Sequence, residues 1–372
     1  MTDQFISWNG ISRYLAMVVI LTFSLSGYGQ DTLRTKTGWD MNLSGYINSN
    51  YILEFTENVD GSIHSIQNGL LPAALTFSAS KVVSGWTVTP TFGIFYGLSS
   101  NQALAFSQVD ARQVFFTASK PTSGTFTVGR NFGLFGFDAI IADFSLLGVG
   151  AGFLPQSPGL TTLGGIAYGY YYCDRLNQIN YTTPDFGGFT ATVGLYQGLD
   201  ALLTDVSNDP SRPGIHGKLA YASDGFTAST SFINQASLTA TGREVNATGF
   251  DVFAKVTAVE HLELVGYFSS GSGLEDVLLG TAILSDGGNE YSTNTFYVQG
   301  SYAFGANTLA VYYGQSSNTD LNDNNTRLSF HYRRAAFGAA LFNVGFHLLG
   351  GSSDDVDKAG KTQLNAGFFL PF

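Results

Sequence analysis

The sequence predicts an all-β chain, a transmembrane antiparallel β-barrel of about sixteen strands, and three observations predict it. Only 12% of the 372 residues are charged while 44% are hydrophobic; an average soluble domain carries roughly 25% charge, so an ordinary wetted surface is out of reach. Past the N-terminal region no apolar run approaches the about 20 residues of a spanning helix, so apolar surface comes in short pieces. The dominant pattern is period-2 alternation in segments of about ten residues, broken by Gly, Asn, Asp and Ser clusters, as membrane-spanning strands require. Glycine (45), phenylalanine (31) and tyrosine (19) outweigh proline (9), a profile of aromatic-rich strands.

The chain opens with Arg13, an apolar stretch over residues 14–25, and then Ser26, Gly27, Tyr28 and Gly29. This is a signal-peptide layout. Small Gly27 and Gly29 place the expected cut before Gln30, leaving residues 1–29 as leader and 30–372 as one barrel domain. No charge block, Pro/Ser tract or composition shift divides the remainder.

Strands are expected to start near residues 39, 73, 86, 110, 124, 174, 188, 213, 225, 246, 261, 294, 307, 325, 339 and 361. In the first, Met41, Leu43 and Ile47 share one face and Asn42, Ser44, Tyr46 and Asn48 the other. Later, Phe296, Val298 and Tyr302 oppose Thr295, Tyr297, Gln299 and Ser301; Leu328, Phe330 and Tyr332 oppose Arg327, Ser329, His331 and Arg333; Phe342, Val344, Phe346 and Leu348 oppose Asn343 and His347. Alternation alone does not separate a soluble sandwich from a lipid-facing sheet. Turn spacing does: short turns near residues 83–85, 122–124, 184–187, 223–225, 259–261, 304–306 and 334–336 alternate with longer polar loops. Barrels with short turns at one rim and long loops at the other are built this way, and closure leaves no unpaired edge in lipid. The last segment puts Leu364, Ala366, Phe368, Leu370 and Phe372 on one face.

Cys173 is the only cysteine, which rules out an internal disulfide and a cysteine metal cluster. The net charge of −11 argues against nucleic acid as a partner, because phosphate binding needs a basic footprint. The histidines 64, 216, 261, 331 and 347 include no pair at metal-ligand spacing, and no serine sits in a nucleophile elbow. No catalytic set, metal or cofactor is expected; a barrel hydrolase and a soluble sandwich adhesin are the displaced rivals.

Two stretches carry a family resemblance: Gly124-Thr-Phe-Thr-Val-Gly-Arg130-Asn-Phe-Gly133, continuing to Asp138, and Asp174-Arg175-Leu-Asn177-Gln-Ile-Asn-Tyr181-Thr-Thr-Pro184-Asp-Phe186-Gly-Gly-Phe189. They resemble the strand leading into the third loop of general bacterial porins and the strand-turn-strand that follows it. Phe372 is similar to the aromatic residue that ends porins and is read by the barrel-assembly machinery. The resemblance implies a sixteen-stranded, usually trimeric barrel in the outer membrane of a Gram-negative bacterium, in contact with lipid and lipopolysaccharide, with the third loop folded inward. Small hydrophilic solutes and ions would diffuse passively through it; a substrate-specific channel with a binding site is the alternative.

Arg130 and Arg175 match, by motif position, the arginines that porins place on the wall facing that loop. Asp138 and Asp143, the acids of the otherwise apolar residues 134–165, would then face them across the constriction, although porins with a strong transverse field have a more acidic loop. Rim arginines bonded to loop carbonyls are the competing expectation, and Arg175 needs a bulge, because alternation puts it on one face with Ile179 and Tyr181.

Alternation by itself turns Lys218 with His216, Lys255 with Asp251, and the row Arg327, His331 and Arg333 toward water, since Arg or Lys facing mid-bilayer lipid costs about 2–4 kcal/mol. Most acids, including Glu57, Asp60, Asp200, Asp205, Asp209, Asp320, Asp323, Asp354, Asp355 and Asp357, fall in the long loops. An acidic mouth concentrates cations and a basic constriction favours anions; the narrowest point dominates, which tilts the expectation to anions. The loop acids equally suit divalent-cation bridging of lipopolysaccharide. Tyr168, Tyr170, Tyr171 and Tyr172 offer a sugar-stacking slide, an interfacial girdle or packing for the folded-in loop.

Overall fold

The structure, a computed structural model, describes residues 33–97, 109–152, 162–197, 211–238, 243–278, 290–354 and 356–372; the expected leader 1–29 lies outside them. Sixteen long strands run antiparallel, each paired with the next: β1 (Asp40–Thr56), β2 (Ala73–Val83), β3 (Trp86–Tyr96), β4 (Val109–Lys120), β5 (Gly124–Phe132), β6 (Arg175–Thr182), β7 (Phe189–Tyr196), β8 (Gly214–Ser223), β9 (Phe226–Leu238), β10 (Glu244–Val259), β11 (Leu262–Ser272), β12 (Ser292–Phe304), β13 (Asn307–Asn318), β14 (Asp323–Ala335), β15 (Leu341–Ser353) and β16 (Lys361–Pro371). Pairing of β16 with β1, from Tyr46↔Pro371 to Thr56↔Lys361, closes the sheet, so its backbone groups are satisfied within the wall. Every strand start lies within two residues of the sequence expectation. The turns are tight where expected; Ser84 (φ 51°) and Gly85 (φ 81°) join β2 to β3 with the left-handed pair that matches strand twist.

The alternating faces are sorted in the sense opposite to a soluble protein. On β1, Asn48, Asn50 and Glu54 are buried while Leu43, Ile47, Tyr51 and Phe55 are exposed; on β12, Thr295, Tyr297 and Gln299 are buried while Phe296, Val298 and Tyr302 are exposed. A sandwich would hide the apolar row in its core. Here that row is the outer surface, which suits hydrocarbon. Outward aromatic pairs such as Phe126–Tyr181 (5.0 Å) and Phe189–Tyr221 (4.5 Å) stand near the short-turn rim, where a girdle is expected.

Between β5 and β6 the chain forms helix α1 (Phe137–Ala142), a 3₁₀ turn (Phe144–Leu147) and a small ribbon pairing Ala151–Gly152 with Thr162–Gly164. Gly136 (φ 70°) precedes α1, and a Cβ there would lie 2.0 Å from the Tyr171 carbonyl oxygen; only glycine lets the outgoing and returning limbs approach so closely. Phe135, Ala139, Ile166 and Tyr170 pack with Tyr267, Tyr297 and Tyr312 of β11–β13. Leu146 and Leu147 pack with Leu70, Leu71, Tyr46, Phe95 and Phe369.

Candidate constriction site

The segment between β5 and β6 is bonded to side chains that alternation turns to the inner face. Gly136 N donates to Asp251 Oδ2 (2.8 Å), Phe144 N to Gln299 Oε1 (2.7 Å), Gln299 Nε2 to the Ala142 carbonyl (2.8 Å) and Tyr297 Oη to the Ala139 carbonyl (3.0 Å). Further on, Arg333 Nη2 donates to the Phe144 carbonyl (2.7 Å) and Asn343 Nδ2 to the Leu147 carbonyl (3.1 Å). On the returning limb, Tyr312 Oη donates to the Tyr168 carbonyl and Gly169 N to Ser316 Oγ, both at 3.0 Å. These bonds all go to the β10–β15 side of the wall, and they satisfy backbone groups that have no ladder partner.

Both acids of the segment are used by the segment itself and by the β8–β14 part of the wall. Asp138 meets Lys218 Nζ of β8 at 2.5 Å and accepts from Ser229 of β9. Asp143, 1% exposed, accepts from Ser145 N (2.9 Å), Ser145 Oγ (2.6 Å), Gly165 N (2.7 Å) and Tyr170 Oη (2.9 Å), with Arg327 Nη2 at 3.6 Å. Neither is bonded to Arg130 or Arg175, which corrects the expected pairing across the lumen. For Asp143 the reason is desolvation: a buried carboxylate is kept only where donors surround it, and these are the loop's own amides and hydroxyls with the Arg327 cation behind them; Asp138, half-buried, is held by Lys218 and Ser229.

The arginines are also redistributed. Arg130 sits opposite Val114 of β4 and Asn177 of β6, on the outward face with Val128 and Phe126, and its buried Nε has no hydrogen-bond partner. Its expected place facing the third loop is thus corrected. The inward residue is the next one, Asn131, whose Oδ1 accepts from Gln113 Nε2 at 3.0 Å. Arg175 does turn in, without a bulge between β5 and β6: Asp174 adopts φ 57° and redirects the chain, then pairs with the Arg175 guanidinium at 2.7 Å. That guanidinium lies 5.0 Å from the Phe132 ring and 5.5 Å from the Phe95 ring.

Sequence reasoning missed Arg112 of β4. Strict alternation puts it with outward Val114, yet it is buried, 2.9 Å from Asp110 and 4.6 Å from the Phe95 ring. A bulge, where Gly93↔Gln113 gives way to Ile94↔Ala111, turns both Arg112 and Gln113 inward. The only signal for it in the sequence is the charge itself.

Lys218, Lys255, Arg327, His331 and Arg333 all fall on the inward register. Lys255 meets Glu263 at 3.4 Å. Arg327 is wholly buried, its Nε on Ser329 Oγ (2.7 Å) and its guanidinium 4.2 Å from the Tyr312 ring. His331 stands between Phe144 (5.5 Å) and His347 (5.1 Å). Tyr170, Tyr171 and Tyr172 are buried and serve packing, with Tyr170 5.7 Å from the Tyr297 ring. Burial pushes the Cys173 thiol up, keeping it neutral. Asp200, Asp205, Asp209 and Asp355 lie outside the described residues. Among the described residues no group of His, Cys, Asp and Glu could hold a metal ion.

A family model for Gram-negative porins matches residues 16–339. The chain belongs to this family. Its structure is similar to that of the anion-selective porin from Comamonas acidovorans, at 17% identity over 90% of this chain and 100% of that one, with a TM-score of 0.66. It is also similar to the outer membrane channel DcaP of Acinetobacter baumannii (14% identity, 91% and 99% covered, TM-score 0.66) and to the trimer form of OmpT from Vibrio cholerae (13%, 89% and 99%, 0.58). No curated protein sequence matches it. At these identities the structural likeness is one of fold, and the family assigns the role: this porin is an outer-membrane channel through which solutes diffuse.

Proposed function

We propose that this porin is a general diffusion channel for small hydrophilic solutes and ions, assembled as a homotrimer, in which the segment between β5 and β6 narrows the lumen against Arg112 and Arg175. One observation carries the reading: the two guanidiniums lie over the single ring of Phe95, while Asp138 is paired with Lys218 and Asp143 stands 3.6 Å from the Arg327 guanidinium elsewhere on the wall. The acids of the segment are compensated, and Asp110 and Asp174 in turn compensate Arg112 and Arg175. Arg333, bonded to Asn343 Oδ1 and a carbonyl, is the positive charge in excess among these groups. Fixed positive charge in a narrow, low-dielectric passage favours anions. The anion-selective character of the Comamonas porin and the trimer form of OmpT are in keeping with this. Removal of residues 1–29, contact of the loop acids with lipopolysaccharide and reading of Phe372 by the assembly machinery belong to the same proposal.

Planar-bilayer recording tests it. Under a salt gradient the wild-type reversal potential is expected on the anion side. Replacing Arg112 and Arg175 together with serine should move it toward cations by more than either single change, the shift shrinking as the Debye length falls to roughly 3 Å at 1 M salt. A cation-selective wild type, or a double variant with unchanged selectivity, sinks the reading. A substrate-specific channel is the second reading. The buried hydroxyls of Tyr46 and Tyr172 interact electrostatically with Arg112 and Arg175 yet have no hydrogen-bond partner, and conductance that saturates with a carboxylate solute would favour it.

A further inference from the structure

Charge is distributed unevenly along the pore axis. At the long-loop mouth Glu57, Asp60, Glu290, Asp320, Asp354 and Asp357 are exposed. The loops of that rim, the inward segment apart, contain Arg212, Arg243 and Lys358 as their Lys and Arg residues, and Lys358 is already paired with Asp323. Asp60 and Asp357 make no side-chain hydrogen bond or ion pair among the described residues. The short-turn rim carries both signs, exposed Lys36 and Arg334 with exposed Asp185 and Asp224. Inside the lumen at that end, Glu263 compensates Lys255 at 3.4 Å, whereas the Arg333 guanidinium is bonded to Asn343 Oδ1 and the Phe144 carbonyl, 3.9 Å from the Phe144 ring. No carboxylate stands within ion-pair distance of it among the described residues. Asp323, at the mouth end of β14, precedes Arg333 by ten residues. That is about 33 Å along the strand at roughly 3.3 Å per residue, and about 25 Å along the axis at the tilt of such barrels. The separation exceeds the Debye length of about 10 Å at 0.1 M salt, so mouth and constriction act as two charged zones.

We infer that the pore rectifies, passing more current when its external side is positive than when it is negative. This rests on the channel reading and, of the proposed constriction, on Arg333 alone. An acidic mouth enriches cations and a positive constriction enriches anions. With the external side positive, the field drives cations from the mouth inward and anions past Arg333 outward. Both enriched carriers then move into the passage, and its conductance rises. With the sign reversed, both are drawn out of the passage. The ions that replace them must cross zones that repel them, anions through the acidic mouth and cations past Arg333, so the passage is depleted. The inward segment adds little opposing field, because Lys218 and Arg327 stand beside its acids. The favoured fluxes are small cations inward and small anions outward.

The test is a current-voltage curve of the full chain in planar bilayers with the same potassium chloride solution on both sides. Orientation is fixed with Val59→Cys in a Cys173→Ser background, by a bulky thiol reagent that reacts from one side only. At about 0.1 M salt the current with the external side positive is expected to exceed that at the opposite voltage by about 1.5-fold or more, and at 1 M, where the Debye length is roughly 3 Å, the two should be nearly equal. Asp60→Lys with Asp357→Lys, which breaks no side-chain bond among the described residues, should lower the ratio. Arg333→Gln should lower it as well, and the three changes together should bring it to unity or below. Conductance retained at 1 M salt shows that the variant pores are folded and open. Equal currents in the wild type at about 0.1 M, or a larger current with the external side negative, overturn the inference. A ratio that neither set of changes moves also overturns it and assigns the asymmetry to the shape of the pore. A reversal potential on the cation side with rectification intact sinks the anion preference and leaves the rectification standing; an anion-side potential with symmetric currents does the converse.

Discussion

Asp143 shows how a residue's function depends on what surrounds it. Its carboxylate ties Ser145 on the outgoing limb to Gly165 and Tyr170 on the returning one, and faces an arginine with no exposed surface. Removing one member of a buried charge pair leaves the other uncompensated, at a cost of about 3–5 kcal/mol. Asp143→Ala is therefore expected to lower the melting temperature in detergent and to make the open-channel current noisy as the limbs part, while the reversal potential stays put. Asp143→Asn keeps an acceptor and should lose less. A quiet channel with selectivity shifted toward anions would put Asp143 back on the pore wall. Which arginines face inward was the least legible part of the sequence, and for a common reason. Arg112 depends on the bulge at Gly93 and Ile94, Arg175 on the left-handed backbone of Asp174, and Arg130 on regular alternation through β5. A period-2 reading contains the third case and neither of the first two.

At the scale of elements, the strands were legible because each carries its own evidence: an alternating segment, a tight turn and a polar loop. The segment between β5 and β6 carries none. Its main-chain bonds reach side chains such as Asp251 and Asn343, 115 and 196 positions away, and no local pattern encodes a partner at that distance. What the sequence does hold is Gly136. Gly136→Ala would combine a left-handed φ with a Cβ 2.0 Å from the Tyr171 carbonyl. The expected result is displacement of α1 from Asp251, at about 1–3 kcal/mol of strain, and a changed single-channel conductance. Gly338→Ala is the control, because Gly338 has φ 58° with nothing within 4 Å of its Cβ position; it bears the backbone strain without the clash. Equal conductance in the two variants would mean that the close approach of the limbs does not set the width of the passage.

Over the whole molecule, the barrel is stable in lipid only if its last strand finds its first, and Phe372 takes part in that closure in two separable ways. Its backbone exchanges two hydrogen bonds with Gly45, N to O and O to N, both 2.9 Å, while its ring, 63% exposed, projects outward where a Cβ on Gly45 would meet it at 2.6 Å. Backbone groups left unpaired at membrane depth have no water to turn to, so the two bonds are worth more here than the about 0.5–1.5 kcal/mol each of a soluble protein. Phe372→Ala keeps the bonds and removes the ring; ending the chain at Pro371 removes both. In liposomes without assembly machinery, the truncated chain should refold more slowly and with less heat-modifiable product, and Phe372→Ala should refold within a few-fold of wild type, a difference of about 1 kcal/mol or less in the barrier. In cells both should assemble poorly if the machinery reads the ring. Equal defects in liposomes would assign the ring itself, by packing over Gly45, to closure. Normal assembly of Phe372→Ala in cells would remove recognition of the ring from the account and leave the hydrogen bonds to Gly45 as the contribution of this residue.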